Sequence, residues 1–111
     1  MEMVIRKKEQ ASILKVTGDV NIRTAPRLHD QTRKMTSAAP KRIIVDLSDV
    51  EYMDSSGVGV LVTSMKHANQ ANIPFGLASV NDRVHSILKL TRLTSIFQIF
   101  PDVPSAIEGL N

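Results

Sequence analysis

Five consecutive residues, Ile43-Ile44-Val45-Asp46-Leu47, constrain the fold of this chain more than any other stretch. A half-buried strand alternates apolar with polar side chains, and this one does not. The near-continuous run over 42–47, rich in β-branched residues, predicts a parallel strand covered on both faces and therefore central in its sheet. After it comes a polar, glycine-bearing stretch, Met53-Asp54-Ser55-Ser56-Gly57-Val58-Gly59. A helical pattern then runs over roughly 56–70, placing Val58, Leu61, Val62, Met65 and Ala68 on one face and stopping before Asn72 and Pro74. A strand feeding a polar turn into a helix sets that turn at the rim of a sheet, where α/β domains keep their sites.

The remaining segments fit the same architecture. Residues 3–8 and 11–18 are two short runs with partial alternation, separated by Glu9-Gln10, and read as a hairpin whose first strand is an edge. Gly18-Asp19-Val20-Asn21 reads as a turn. Thr24 before Ala25-Pro26 reads as a helix start, because proline fits the first turn, where its missing N–H is not needed. In that helix Ala25, Leu28, Thr32 and Met35 share one face, while Arg27, Asp30, Arg33 and Lys34 point to water. Phe75–Ala78 is a short strand, Asn81 or Asp82 caps a third helix, Phe97–Phe100 is a last strand, and a short helix follows Pro101. No internal repeat is visible. The expected fold is α/β: a mixed, mostly parallel sheet of about five strands that opens with a β-hairpin, packed with four to five helices, in one domain over 1–111.

Composition removes several function classes. With 42% hydrophobic residues the 111-residue chain is an ordinary globular sequence, and no segment approaches the ~18 apolar residues of a membrane span. No secretory signal is visible at Met1–Arg6, so the expectation is a cytoplasmic protein without a membrane partner. The absence of cysteine excludes disulfides, thiol catalysis and thiolate metal sites. A net charge of +3 is spread over scattered basic residues, and Tyr52, Phe75, Phe97 and Phe100 form no stacking platform, so a nucleic-acid partner is not expected. Residues 46–54 instead carry Asp46, Asp49, Glu51 and Asp54 with no positive charge, which suits a basic partner surface.

Enzyme motifs fail at the central stretch. Gly57-Val58-Gly59 lacks the third glycine of a dinucleotide fingerprint, no Gly-Lys-Ser/Thr exists for a phosphate loop, and neither Ser55 nor Ser56 has glycines two positions to either side. His29, His67 and His85 fall on three separate predicted helices without ligand spacing, so no metal or other cofactor is expected. Asp46 and Asp54 admit a hydrolase or nucleotide-binding reading, against the simpler one that Asp46 accepts turn hydrogen bonds. For Asp54 and Ser55 the alternatives are a plain helix cap and a displayed serine. A phosphate added to Ser55 would lie at a helix start, beside the like charge of Asp54. Gly57 and Gly59 each cost about 1 kcal/mol against alanine in a helix, which either a close-approaching partner or tight packing against the Gly18–Asn21 turn would explain.

Ile43–Val50 followed by Tyr52–Val60 resembles the signature of STAS domains, specifically the bacterial anti-sigma factor antagonists. Val16–Asn21 with Thr24-Ala25 resembles the turn before that family's first helix, and Leu93–Ile99 with Ala106 its carboxy-terminal part, so the likeness covers essentially the whole chain. The resemblance implies a non-catalytic, phosphorylation-gated binding protein. Its phosphoacceptor would be Ser55, the first serine after the aspartate. The unmodified form would bind a serine kinase that is also the anti-sigma factor and thereby free a sigma factor, phosphorylation would block that binding, and a PP2C-type phosphatase would reverse it. The implied partner surface comprises Asp19, Asn21, Thr24, Asp54, Ser55, Ser56, Gly57, Val58 and Gly59. Asn21 stands where many members carry an acidic residue, and Arg23 and Arg27 add positive charge nearby. The alternatives are an unphosphorylated STAS subunit of a transport or lipid-trafficking ATPase complex, or a partner switch with an output other than a sigma factor.

Overall fold

In the computed structural model, which describes residues 1–111, the apolar run lies in the middle strand of a five-stranded sheet. The strands β1 (Glu2–Lys8), β2 (Ala11–Val20), β3 (Arg42–Met53), β4 (Phe75–Ala78) and β5 (Gln98–Phe100) lie side by side in chain order. Only the β1–β2 pair is antiparallel; the other three pairs are parallel. Helices α1 (Ala25–Ser37), α2 (Ser55–Gln70) and α3 (Asp82–Leu90) make the crossovers, and α4 (Val103–Gly109) follows β5. This is the mixed α/β architecture expected from the sequence, with one addition: a 3-10 turn over Thr94–Ile96.

Asp46 apart, residues 43–47 are apolar without alternation because both faces are covered. Ile43, Val45 and Leu47 join the larger core beneath α1, α2 and α3, while Ile44 joins a smaller one with Ile13, Ala78 and the α4 residues Val103, Ala106, Ile107 and Leu110. Three helices thus cover one face of the sheet and one short helix the other. Burial of side chains the size of leucine contributes about 1.5–3 kcal/mol each, and Leu14, Leu28, Leu47, Leu61, Leu77 and Leu88 are wholly enclosed in the larger core.

Two expectations need correction. Gly18–Val20 is not a turn but the end of β2, which stays paired with β3 through two register shifts; only Gly18, at φ +96°, needs the left-handed region there. Strand β3 runs to Met53, so the polar stretch before α2 shrinks to Asp54 alone. Thr24 stands at the helix start expected of it, immediately before α1, and its side chain is turned to the preceding loop rather than to the helix. Its hydroxyl donates to the Asp19 carbonyl at 2.9 Å and accepts from the Asn21 N–H at 2.9 Å, tying the β2–α1 connection to itself.

Candidate functional site

The end of β3 and the start of α2 meet at Asp54. Its extended backbone turns the chain, and its Oδ1 accepts from the Ser56 N–H at 2.9 Å. Its carbonyl accepts from the N–H groups of Gly57 and Val58 at 3.1 and 3.2 Å, and its own N–H donates to the Val20 carbonyl at 3.1 Å, which locks this corner to the end of β2. Asp54 is therefore the helix cap, and it takes up donors that a helix otherwise leaves free at its start.

Ser55, the first residue of α2, is exposed, and no hydrogen bond engages its hydroxyl. Ser56 beside it is half-buried. Gly57 and Val58, which the implied partner surface includes, are both buried. A Cβ at Gly57 would stand 2.7 Å from Met53 Cγ and 2.8 Å from Val20 Cγ1, and Val58 is 2% exposed. Close packing of α2 on the β2 end explains Gly57. Gly59 is the contrary case: it is exposed, with nothing within 4 Å of an added Cβ.

The β2–α1 connection flanks this corner. Asn21 Oδ1 accepts from the N–H groups of Arg23 at 2.9 Å and Thr24 at 3.2 Å, an acceptor role that a carboxylate in its place would also fill. Asp19 is exposed and pairs in register with Tyr52 across the β2–β3 ends. The structure thus brings Asp19, Asn21, Thr24, Asp54, Ser55, Ser56 and Gly59 to one end of the sheet. Two side chains not singled out as contacts join them: Ile22, 75% exposed, and Tyr52, 52% exposed. Their signal in the sequence was an apolar residue inside an otherwise polar segment.

Most carboxylates of the acidic stretch are already engaged within the chain. Asp46 is buried and accepts from the Ser48 N–H at 3.0 Å, in keeping with the structural reading of that residue. Asp49 pairs with Lys15 at 3.1 Å, and Asp54 is held by the helix it caps. Beyond Asp49, an open hollow of about 620 Å³ includes Glu51, Asn81, Asp82 and Arg83 in its lining. Asn81 Oδ1 caps α3 by accepting from Val84 N–H at 3.0 Å, its Nδ2 donates to the Val50 carbonyl at 2.7 Å, and Arg83 donates to the Glu51 carbonyl at 2.8 Å, so α3 is pinned to the far half of β3. His29, His67 and His85 lie on α1, α2 and α3, and no three metal-ligating side chains come together. No helix is long and apolar enough to cross a membrane.

Known proteins share this arrangement. The STAS domain family model matches residues 2–106. An anti-sigma-B factor antagonist of Staphylococcus aureus is 30% identical over 86 residues, covering 78% of this chain and 80% of that protein. The crystal structure of a candidate anti-sigma factor antagonist from Thermotoga maritima superposes with a TM-score of 0.88 at 28% identity, over 96% of this chain and 92% of that one. The Bacillus cell fate determinant SpoIIAA in its phosphorylated form shares the fold, with a TM-score of 0.74 at 15% identity over 96% of this chain and 97% of that one. Fold and sequence agree: the chain belongs to the STAS domain family.

Proposed function

We propose that this chain is an anti-sigma factor antagonist whose binding to its partner is switched by phosphorylation of Ser55. The name and likeness of the Staphylococcus relative support the first half of this reading. One observation carries the second: an exposed, unbonded serine hydroxyl opens α2 beside a carboxylate that already accepts the Ser56 N–H. A phosphate on Ser55 adds about −1.5 to −2 charge. With the Ser56, Gly57 and Val58 N–H groups engaged by Asp54, the start of α2 offers that phosphate the Ser55 N–H and the field of the helix end. It stays on display and is read by the partner as repulsion against a surface that fits the neutral hydroxyl.

In the unmodified state, Ser55, Gly59 and Asp19 provide the polar part of the docking surface and Ile22 and Tyr52 its apolar flank. The partner is a serine kinase that is also the anti-sigma factor; capturing it frees the sigma factor. Transfer of phosphate to Ser55 ends the capture, and a PP2C-type phosphatase restores it by hydrolysis. The chain itself supplies a hydroxyl and a surface and catalyses nothing.

The test is co-purification with the anti-sigma factor of the same organism. Wild type and Ser55→Ala should capture it alike, while Ser55→Asp should lose roughly tenfold or more in affinity, a change of about 1.4 kcal/mol. Equal capture by all three variants would overturn the switch.

A further inference from the structure

We infer that the groove between α1 and α2 is a second docking surface, and that it takes an acidic, carboxylate-bearing polypeptide segment. His29 and Arg33 of α1 and Thr63, Lys66, His67 and Gln70 of α2 line it, around an open volume of about 370 Å³. No apolar side chain and no carboxylate is among them. His29 and Arg33 are four residues apart, and Thr63, Lys66 and Gln70 are three and four apart, so each set falls on one face of its helix. Underneath, the buried Thr32 and Ser64 hydroxyls hydrogen-bond at 2.7 Å and join the two helices, so the groove exists without a ligand.

The charges in the groove are uncompensated. The chain's one ion pair is Lys15–Asp49, which leaves both Arg33 and Lys66 without a carboxylate partner. The closest acidic residue in sequence, Asp30, lines the adjoining hollow together with Arg33, Lys34 and Ser37. Cations in a last helical turn complement the helix dipole, which accounts for Lys34 on α1. It does not account for Arg33, Lys66 and two imidazoles on one groove. Two histidines suggest a metal, but Arg33 and Lys66 repel a cation and no third ligand is present. Without an aromatic or aliphatic wall the groove suits neither a base nor an acyl chain. What remains complementary is a run of carboxylates, held by two rows of donors and sensitive to salt. Lys66 lies eleven residues beyond Ser55 on the same helix, about 16 Å along its axis at ~1.5 Å per residue, so this surface works whatever the state of Ser55.

At 12.2 kDa the protein suits a residue-by-residue NMR titration, here with a short polyglutamate peptide. Amide shifts should centre on the six groove residues and leave Ser55 unmoved. Arg33→Glu with Lys66→Glu should weaken binding roughly tenfold or more. Lys7→Glu with Lys8→Glu makes the same change in net charge at the hairpin and should leave binding intact. Equal weakening by both pairs, or shifts spread over Lys7, Lys8 and Lys41, would overturn the proposal. So would an oligonucleotide or inorganic phosphate that displaces the peptide at matched charge. If the charge-reversed pair fails to fold, Arg33→Gln with Lys66→Gln decides: wild-type affinity in that variant would likewise overturn it.

Discussion

Asp54 ties the start of α2 to the end of β2. As the α2 cap it accepts the Ser56 N–H at 2.9 Å, and Asp54→Ala should lower stability by about 1 kcal/mol, read as a smaller urea midpoint. Asp54→Asn keeps an acceptor and should recover most of that loss. The two glycines nearby should respond in opposite directions. Gly57→Ala places a methyl 2.8 Å from Val20 Cγ1, and the strain of overpacking, about 1–3 kcal/mol, exceeds the ~1 kcal/mol that alanine gains in a helix. Gly59→Ala meets nothing and should stabilise by about 0.5–1 kcal/mol. Thermal melts of the two variants check this; a shift of the same sign in both would contradict it. Part of this difference was legible in the sequence, since Gly57 falls on the inward stripe with Leu61, Ser64 and Ala68. Residues two apart lie about 200° apart around a helix, which turns Gly59 outward. Packing against Gly18–Asn21 was among the readings the sequence offered, but that Val20 is the residue met depends on how far β2 runs.

At the scale of elements, the β1–β2 hairpin closes with two residues at positive φ, Glu9 at 51° and Gln10 at 68°, between the paired Lys8 and Ala11. A two-residue turn with both φ positive matches the twist of the strands, but neither residue favours it. Glu9→Asn with Gln10→Gly should stabilise the protein by about 1 kcal/mol, and an unchanged urea midpoint would count against strain at this turn. At the other end of the chain Asp102 caps α4, and the Ser105 N–H, donating to it at 2.8 Å, holds its carboxyl below the ordinary carboxylate range. A carboxyl lowered by folding stabilises the native state above its unfolded pKa, and that contribution disappears as pH falls through the folded value. Asp102→Ala should therefore lower the urea midpoint at neutral pH and match wild type in strong acid. Element order and type were readable from periodicity and punctuation, including the short strands at β4 and β5. The end of β2 was not: Gly18, Asp19 and Asn21 are turn-forming residues, and only pairing with the distant β3 holds Gly18–Val20 extended.

In the whole molecule the folding determinants and the proposed switch surface are separate. The core is fixed by β3 between its two apolar layers, whereas Ser55, Gly59, Ile22 and Tyr52 project from one end of the sheet and contribute little to that core. This separation gives the last prediction its form. At the start of α2 a negative charge gains about 0.3–1 kcal/mol from the helix dipole and loses a comparable amount to repulsion by Asp54. Ser55→Asp should therefore melt within a few degrees of wild type while losing its partner, a shift expected of a change below about 1 kcal/mol in a chain this size. Ser56 is the internal control. Incubation with the kinase and ATP should add one phosphate to wild type and to Ser56→Ala and none to Ser55→Ala, as read by intact mass. Phosphate on the Ser55→Ala protein, or a large loss of stability in Ser55→Asp, would mean that this corner serves the fold rather than the partner.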